Sequence, residues 1–256
     1  MRKRRFFKIF YLLLILLIPL GSEAWAQTTG TGAPGLRIDI SGSNDEGDFG
    51  VAIQLVVAMT ILTMGPSVLM MMTCFTRIVI VLGFVRNAIG VNAAPSSQII
   101  VGLSLFLTFF IMGPVWNKIY DNAVVPYMDT TMKSGEALLT ATTYMKDFML
   151  NQTRQEDAQF FLEISRQGAM TRDELPLSIV VPSFVLSELR TAFQMGFLIF
   201  IPFIIVDFIV ASSLMSMGMM MMPPVVISMP FKLLLFVLVD GWYLVTQSIV
   251  NSFNIA

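Results

Sequence analysis

Seven ionisable side chains lie in or beside long apolar runs: Arg77, Arg86, Glu188, Arg190, Asp207, Lys232 and Asp240. A charge at the bilayer centre costs roughly 2.5 kcal/mol or more, so such a group faces protein or water, or snorkels to the headgroups. Three chemistries are open to this set. Asp207 and Asp240, taken as a carboxylate pair, would share a proton and activate water, as in an intramembrane aspartyl protease. Their contexts are IVDFI and LVDGW, and the GxGD context expected around such an aspartate is absent. The same two carboxylates at the midplane would instead bind the coupling ion of a secondary transporter. The third chemistry is ion pairing between helices. Lys232 and Asp240 are eight residues apart, about 12 Å along an axis, too far to pair on one straight helix. Arg77 and Arg86 are nine apart and point to opposite faces at about 100° per residue. The partners must come from other helices or other chains. So many charges in one small hairpin bundle argue for a subunit of a larger assembly whose contacts bury them.

Composition removes most other chemistry. There is no histidine and one cysteine, Cys74, so a His-based triad, a His or Cys metal cluster and an intrachain disulfide are excluded. No enzyme activity, cofactor or metal site is expected. Hydrophobic residues make up 55% and charged residues 13%, with mean hydropathy +0.76. Soluble domains carry about 25% charged residues, so this is a membrane protein, or one that buries nearly all of its surface against partners.

The elements that must hold these charges can be marked along the chain. Residues 1–26 read as a cleavable signal peptide. Arg2, Lys3, Arg4, Arg5 and Lys8 form a basic start, Ile9 to Gly21 an apolar centre, and Ala24 to Ala26 an A-x-A site. Cleavage takes Lys+Arg from 16 to 11 and Asp+Glu from 17 to 16, a net charge of −5, which argues against a nucleic-acid partner. Residues 27–50 form a flexible leader rich in Gly, Ser, Thr and Asp. Residues 51–116 form a first hydrophobic helical hairpin, with a turn over Val91 to Ser97. Gly65 and Pro66 are expected to kink or break its first helix, because proline removes a donor and clashes one turn back. Residues 117–186 are polar, with apolar residues near helical spacing, and predict two or three amphipathic helices outside the membrane. Residues 187–250 form a second hairpin around a methionine-rich turn, 215–224, and 251–256 a short tail. The expected fold is an all-α membrane protein: four long, kinked hydrophobic helices in hairpins plus a small helical domain.

The turn reads MSMGMMMMPP from Met215 to Pro224. Methionine is unbranched, polarizable and adaptable in shape. Met219, Met220, Met221 and Met222 are consecutive and cannot share one helix face. Gly218 supplies backbone freedom, and Pro223 and Pro224 stop the helix and fix the exit of the loop. Repeated about an axis, such a turn forms a deformable plug. In isolation it is equally a methionine-rich helix end packed on neighbours or lipid.

Five blocks carry a resemblance: TCFTRIVIVLGFVRNAIG (Thr73 to Gly90), PYMD (Pro126 to Asp129), PSFVLSELRTAFQMGF (Pro182 to Phe197), VDFIVASSLMSMGMMMMPP (Val206 to Pro224) and PFKLLLFVLVDGW (Pro230 to Trp242). In this order they resemble the FliP family, export-gate proteins of the bacterial flagellar type III secretion system and relatives of the injectisome SctR family. The resemblance runs from about Val51 to Asn251. It implies a pore-forming core of about five copies in a spiral, where a closed ring is the usual symmetry. FliQ and FliR would complete that core, with FlhB and FlhA nearby, and unfolded flagellar export substrates would pass through it. It implies a multi-pass protein of the bacterial inner membrane and flagellar basal body, with 117–186 on the periplasm side. The family's methionine gasket maps onto Met219, Met220 and Met221, and Met222 extends the run. Buried pairs from Glu188, Arg190 and Lys232 would hold subunits closed. The competing readings are the transporter using Asp207 and Asp240, and a membrane scaffold without a conduit.

Overall fold

The computed structural model describes residues 46–90, 95–166, 168, 170–219 and 222–253. The expected signal peptide, residues 27–45 of the expected leader, residues 91–94 of the expected first turn, Met220, Met221 and residues 254–256 lie outside them. The chain divides into two units, Met1–Ile53 and Gln54–Ala256. The described part of the first is the opening of helix α1 (Glu46–Met71).

The second unit holds the rest of α1, then α2 (Phe75–Ile89), α3 (Ser97–Ile111), α4 (Gly113–Ile119), a π turn (Tyr120–Val124) and α5 (Val125–Met128). Helices α6 (Ser134–Gln152) and α7 (Gln155–Ser165) follow, then a 3-10 turn (Arg172–Glu174). The chain closes with α8 (Leu177–Ser216), α9 (Pro224–Leu238) and α10 (Gly241–Asn251). Among the described residues there is no strand. α1 from Ile53 and α8 are each long and apolar enough to cross a membrane. Two bent pairs raise the number of candidate spans from 2 to as many as 4: Ser97–Ile111 with Gly113–Met128, at 55°, and Pro224–Leu238 with Gly241–Asn251, at 64°. This is an all-α membrane protein.

The hydroxyls suit that solvent. Thr60, Thr63, Ser104, Thr108, Ser183 and Ser213 each donate to the carbonyl one turn back, at 2.7–3.0 Å. A hydroxyl so satisfied needs no water, which an apolar surround cannot supply.

The breaks differ from the sequence expectation. α1 runs unbroken through Gly65 and Pro66, and the interruption falls at Met72–Cys74. Thr73 is the cause. Its Oγ1 donates to the Met70 carbonyl at 2.8 Å and accepts from the Phe75 N–H at 3.3 Å, closing one helix and opening the next. The fourth apolar helix, over 225–250, is bent at Val239 and Asp240. The polar segment does not end at a helix boundary either: α8 starts at Leu177 and carries on through the expected border at 186. Its 40 residues are about 60 Å long, twice the ~30 Å hydrocarbon thickness. One end of α8 therefore serves the polar domain and the other the membrane.

The core forms where α2 lies on α8. Ile78, Val81, Leu82, Val85 and Ala88 make one stripe of α2, and all are fully buried. Val180, Phe184 and Ala192 are buried on α8. At Gly196 a Cβ would overlap the Phe84 ring, so the missing side chain lets α2 and α8 approach closely. α6 and α7 pack on the N-terminal part of α8, and α9 packs on its C-terminal part.

Candidate functional site

Three features answer the sequence expectations: two charge clusters and the methionine loop. All three hang on α8.

The first cluster joins α2 to α8. Arg77 stands one turn beyond the break that Thr73 caps. Its Nε donates to Glu188 Oε2 at 2.8 Å, and its Nη2 donates to Glu188 Oε1, a bidentate pair. Arg77 is 2% exposed and Glu188 is fully buried. Nη1 donates to the Ser252 carbonyl and to Ser252 Oγ, each at 3.0 Å. The guanidinium carbon sits 3.9 Å from the centroid of the Phe253 ring. Two charges can stay in so dry a place because nearly every polar atom has a partner. The cluster welds α2, α8 and the residues just past α10 into one unit.

The second cluster joins α8 to α9. Lys232 Nζ lies 2.6 Å from Asp207 Oδ2, and Ser228 Oγ donates to Asp207 Oδ1. Ser228 and Lys232 are four apart and share one face of α9. Both are buried, and the Asp207 side chain is 32% exposed. Asp207 stands nine residues before the end of α8, and Lys232 eight residues after the start of α9. At ~1.5 Å per residue the two arms beyond the bridge are about equal in length. The bridge therefore brings the two helix ends level, and the loop spans them.

The loop itself begins with a fixed cap. Gly218 has φ 77°, in the left-handed region. Its N–H donates to the Met215 carbonyl at 3.1 Å, and the Met219 N–H donates to the Leu214 carbonyl at 3.0 Å. These are the two bonds of a Schellman motif, which glycine enters without a Cβ penalty. Pro223 is extended and Pro224 is the first residue of α9, where a missing N–H costs nothing. Met217, just before the glycine, and Met219 and Met222, between the two caps, are all exposed.

The remaining charges are more loosely held. Arg190 lies 3.2 Å from Glu156 and 3.6 Å from Asp157, both on α7, with about half of its side chain exposed. Arg86 Nη1 donates to Ser97 Oγ at 2.8 Å, across the first turn. Asp240 is exposed at the bend between α9 and α10, with φ 52°. It has no ion-pair partner among the described residues. Asp207 and Asp240 are thus not a carboxylate pair: one is committed to Lys232, the other stands at the bend. Among the described residues no group of three or more acidic or cysteine side chains could hold a metal ion.

Four partners escaped sequence reasoning. Ser228 could have been found, because it stands one helical turn before Lys232 on the face that Asp207 meets. Ser252 and Phe253 sit in what reads as a featureless tail. Ser187, which accepts from the Arg154 N–H at 3.0 Å and so anchors the start of α7, carries no signal in sequence.

Residues 58–249 match the model of the FliP family. The flagellar biosynthetic protein FliP of Bacillus subtilis (strain 168) is 48% identical over 217 residues, covering 84% of this chain and 98% of that protein. The protein of the same name from Pectobacterium carotovorum subsp. carotovorum is 44% identical over 244 residues, covering 95% and 92%. That of Borreliella burgdorferi is 40% identical over 255 residues, covering 98% and 99%. With a family match over most of its length and relatives that it covers almost end to end, the chain belongs to the FliP family.

Proposed function

We propose that this chain is a pore-forming core subunit of a flagellar type III export gate in the bacterial inner membrane, and that its methionine loop is the seal. The family and the flagellar names of its relatives support a part in flagellar protein export. The observation that carries the finer reading is the braced hairpin. The Asp207–Lys232 bridge holds two helix ends level, and caps at Gly218 and Pro223 set where the two helices end and begin, with a run of methionines in the sequence between them. Several such loops around an axis would close on one another through soft, water-excluding side chains and part around an unfolded chain. Met219 and Met222 are the described members of the seal, with Met220 and Met221 between them. About five copies, with FliQ and FliR and with FlhB and FlhA nearby, make up the assembly, whose two-fold-free spiral departs from the closed symmetry usual for oligomers. Residues 117–186, with the polar helices α6 and α7, face the periplasm, and the drive for transport comes from elsewhere in the machine.

The secondary-transporter reading needs Asp207 available to a coupling ion, and Lys232 and Ser228 already occupy it. The test of the seal is deletion of Met219 to Met222 in cells that assemble the gate. Leakage of small ions through assembled gates is the expected result. Ion tightness equal to the parent, with assembly intact, removes the seal from this loop.

A further inference from the structure

Two opposite charges on the apolar helices have no counter-charge among the described residues of their own chain. Arg86, half-buried in the last turn of α2, donates to the neutral hydroxyl of Ser97. Asp240 is exposed at the bend between α9 and α10, beside the exposed Val237, Leu238, Val239 and Tyr243. That bend is fixed by packing. The Phe236 ring fills the space where a Cβ of Gly241 would stand, and Trp242 packs edge-on against it, with ring centroids 5.2 Å apart.

The two charges stand at one depth. α2 and α8 run the same way, since Arg77 meets Glu188 and the Phe84 ring lies over Gly196. Arg86 is two residues past Phe84 and so level with Leu198. α9 runs the opposite way, since Lys232 meets Asp207 and Phe236 packs on Phe203. Asp240 is four residues past Phe236 and so level with Ile199. At ~1.5 Å per residue the two levels agree within about 3 Å. They lie about 8 Å inside the band of exposed apolar residues that opens at Phe193. An arginine can snorkel from there. An aspartate is too short to do so, and an unpaired carboxylate at that depth is strongly disfavoured in lipid.

We propose that Asp240 of one copy of this chain pairs with Arg86 of the neighbouring copy. The proposal rests on the reading of the chain as one of several copies around a pore. Rotation about an axis along the membrane normal leaves every residue at its own depth, so equal depth within one chain is what a pair between copies requires. One head-to-tail contact, repeated around the axis, then satisfies both charges. A base from a separate chain would neutralise Asp240 and leave Arg86 as it is. The other described bases of a second copy fit less well. Arg77 and Lys232 are buried in their own pairs, and Arg190 pairs with Glu156 and Asp157. The Arg154 guanidinium is held by Gln194 and Thr191, about 8 Å nearer the polar domain. Lys118 ends α4, which packs with α6 of that domain.

The experiment uses the full chain, expressed with two different tags in cells that assemble the gate, and with Cys74→Ala to remove the native thiol. Asn87→Cys in one tagged chain and Val239→Cys in the other place thiols on exposed residues beside the two charges and leave the charges intact. A short bis-maleimide is expected to join the two tagged chains. In chains without these cysteines, Arg86→Gln, or Asp240→Asn, which tolerates the left-handed backbone, is expected to lower recovery of the second tagged copy by about tenfold or more at parental yield and helix content. Arg86→Asp combined with Asp240→Arg exchanges the signs and is expected to return most of the recovery that either change alone removes. The chain already holds an arginine, Arg166, in a left-handed backbone. Crosslinks found only within single chains that carry both cysteines overturn the proposal and assign the two charges to each other in one chain. Crosslinks from Val239→Cys only to a foreign chain, or only to lipid, overturn it too. So does parental recovery in both neutral variants, or a double exchange no better than its singles. A parent protein that carries no second tagged copy takes down the proposal and the several-copy reading together. An ion-tight methionine deletion removes the seal and leaves the pair standing.

Discussion

Arg77 and Glu188 are a buried pair whose worth shows only when one partner is removed. Each charge was taken out of water, and neither finds another partner if its mate is lost. Glu188→Leu or Arg77→Met alone is expected to destabilise the chain by about 3–5 kcal/mol, read as lowered thermal unfolding in detergent. The double replacement restores shape without an orphan charge, and most of that loss is expected to return. A double variant as unstable as the sum of the singles would mean that the pair does not act as a unit. Cys74 offers a second check at this scale. It is fully buried, so a maleimide is expected to leave it unmodified in the folded protein and to label it after denaturation. Rapid labelling of the native chain would show that the α1–α2 break opens. Which charges existed was legible in the sequence, and so was their need for partners on other helices. The pairing was not, because Glu188 met Arg77 only after a separation of 111 residues was closed by packing. Within this single chain Arg77, Glu188 and Lys232 are buried, while Arg86, Arg190, Asp207 and Asp240 are partly or well exposed.

At the level of elements, apolar runs located the helices, but not where they stop. Pro66 looked like a break and is not one, since a helix end needs its free polar groups satisfied and Thr73, not Pro66, provides that. The bend at Asp240 has a Gly beside it, a weak signal alone; its meaning lies in the Phe236 ring over Gly241, which is a fact of packing. Gly218 was legible as a special backbone position, and the structure makes it a helix cap. Gly218→Ala forces a Cβ into the left-handed region and is expected to cost about 1 kcal/mol, with frayed hydrogen exchange at Met217 and Met219. Parental exchange rates at those amides would mean that the cap is not held by the glycine. Asp207→Ala is expected to cost more, toward 3 kcal/mol, because it strands the buried Lys232. Spin labels placed on Ser213 and Val226 are then expected to report a broader distance distribution as the two arms lose their brace. An unchanged distribution would assign the levelling of the arms to apolar packing of α9 on α8 instead.

The described residues leave two kinds of apolar surface uncovered, and only one of them is lipid's to cover. Along α8 the exposed residues from Phe193 to Met215 extend about 33 Å, close to the hydrocarbon thickness of ~30 Å. The other surface is on the polar domain, where Leu138 and Leu139 of α6 and Phe160 and Ile164 of α7 are all exposed. Those helices pack around the N-terminal part of α8, outside the length a bilayer can cover. Water is a poor solvent for such a surface, so protein must cover it. Copies of this chain arranged alike around a pore would bring α6 and α7 of each against its neighbours while the methionine loops meet at the axis. The complex purified through this chain in mild detergent is therefore expected to have the mass of several copies plus small companion chains. Phe160→Glu should shift that mass toward single chains while the subunit keeps its parental helix content and Arg77–Glu188-dependent stability. A parental mass in this variant would move the contact elsewhere on the molecule. A parent protein that stays monomeric in every mild detergent would leave the methionine loops without partners to seal against, and the pore itself would have to be abandoned.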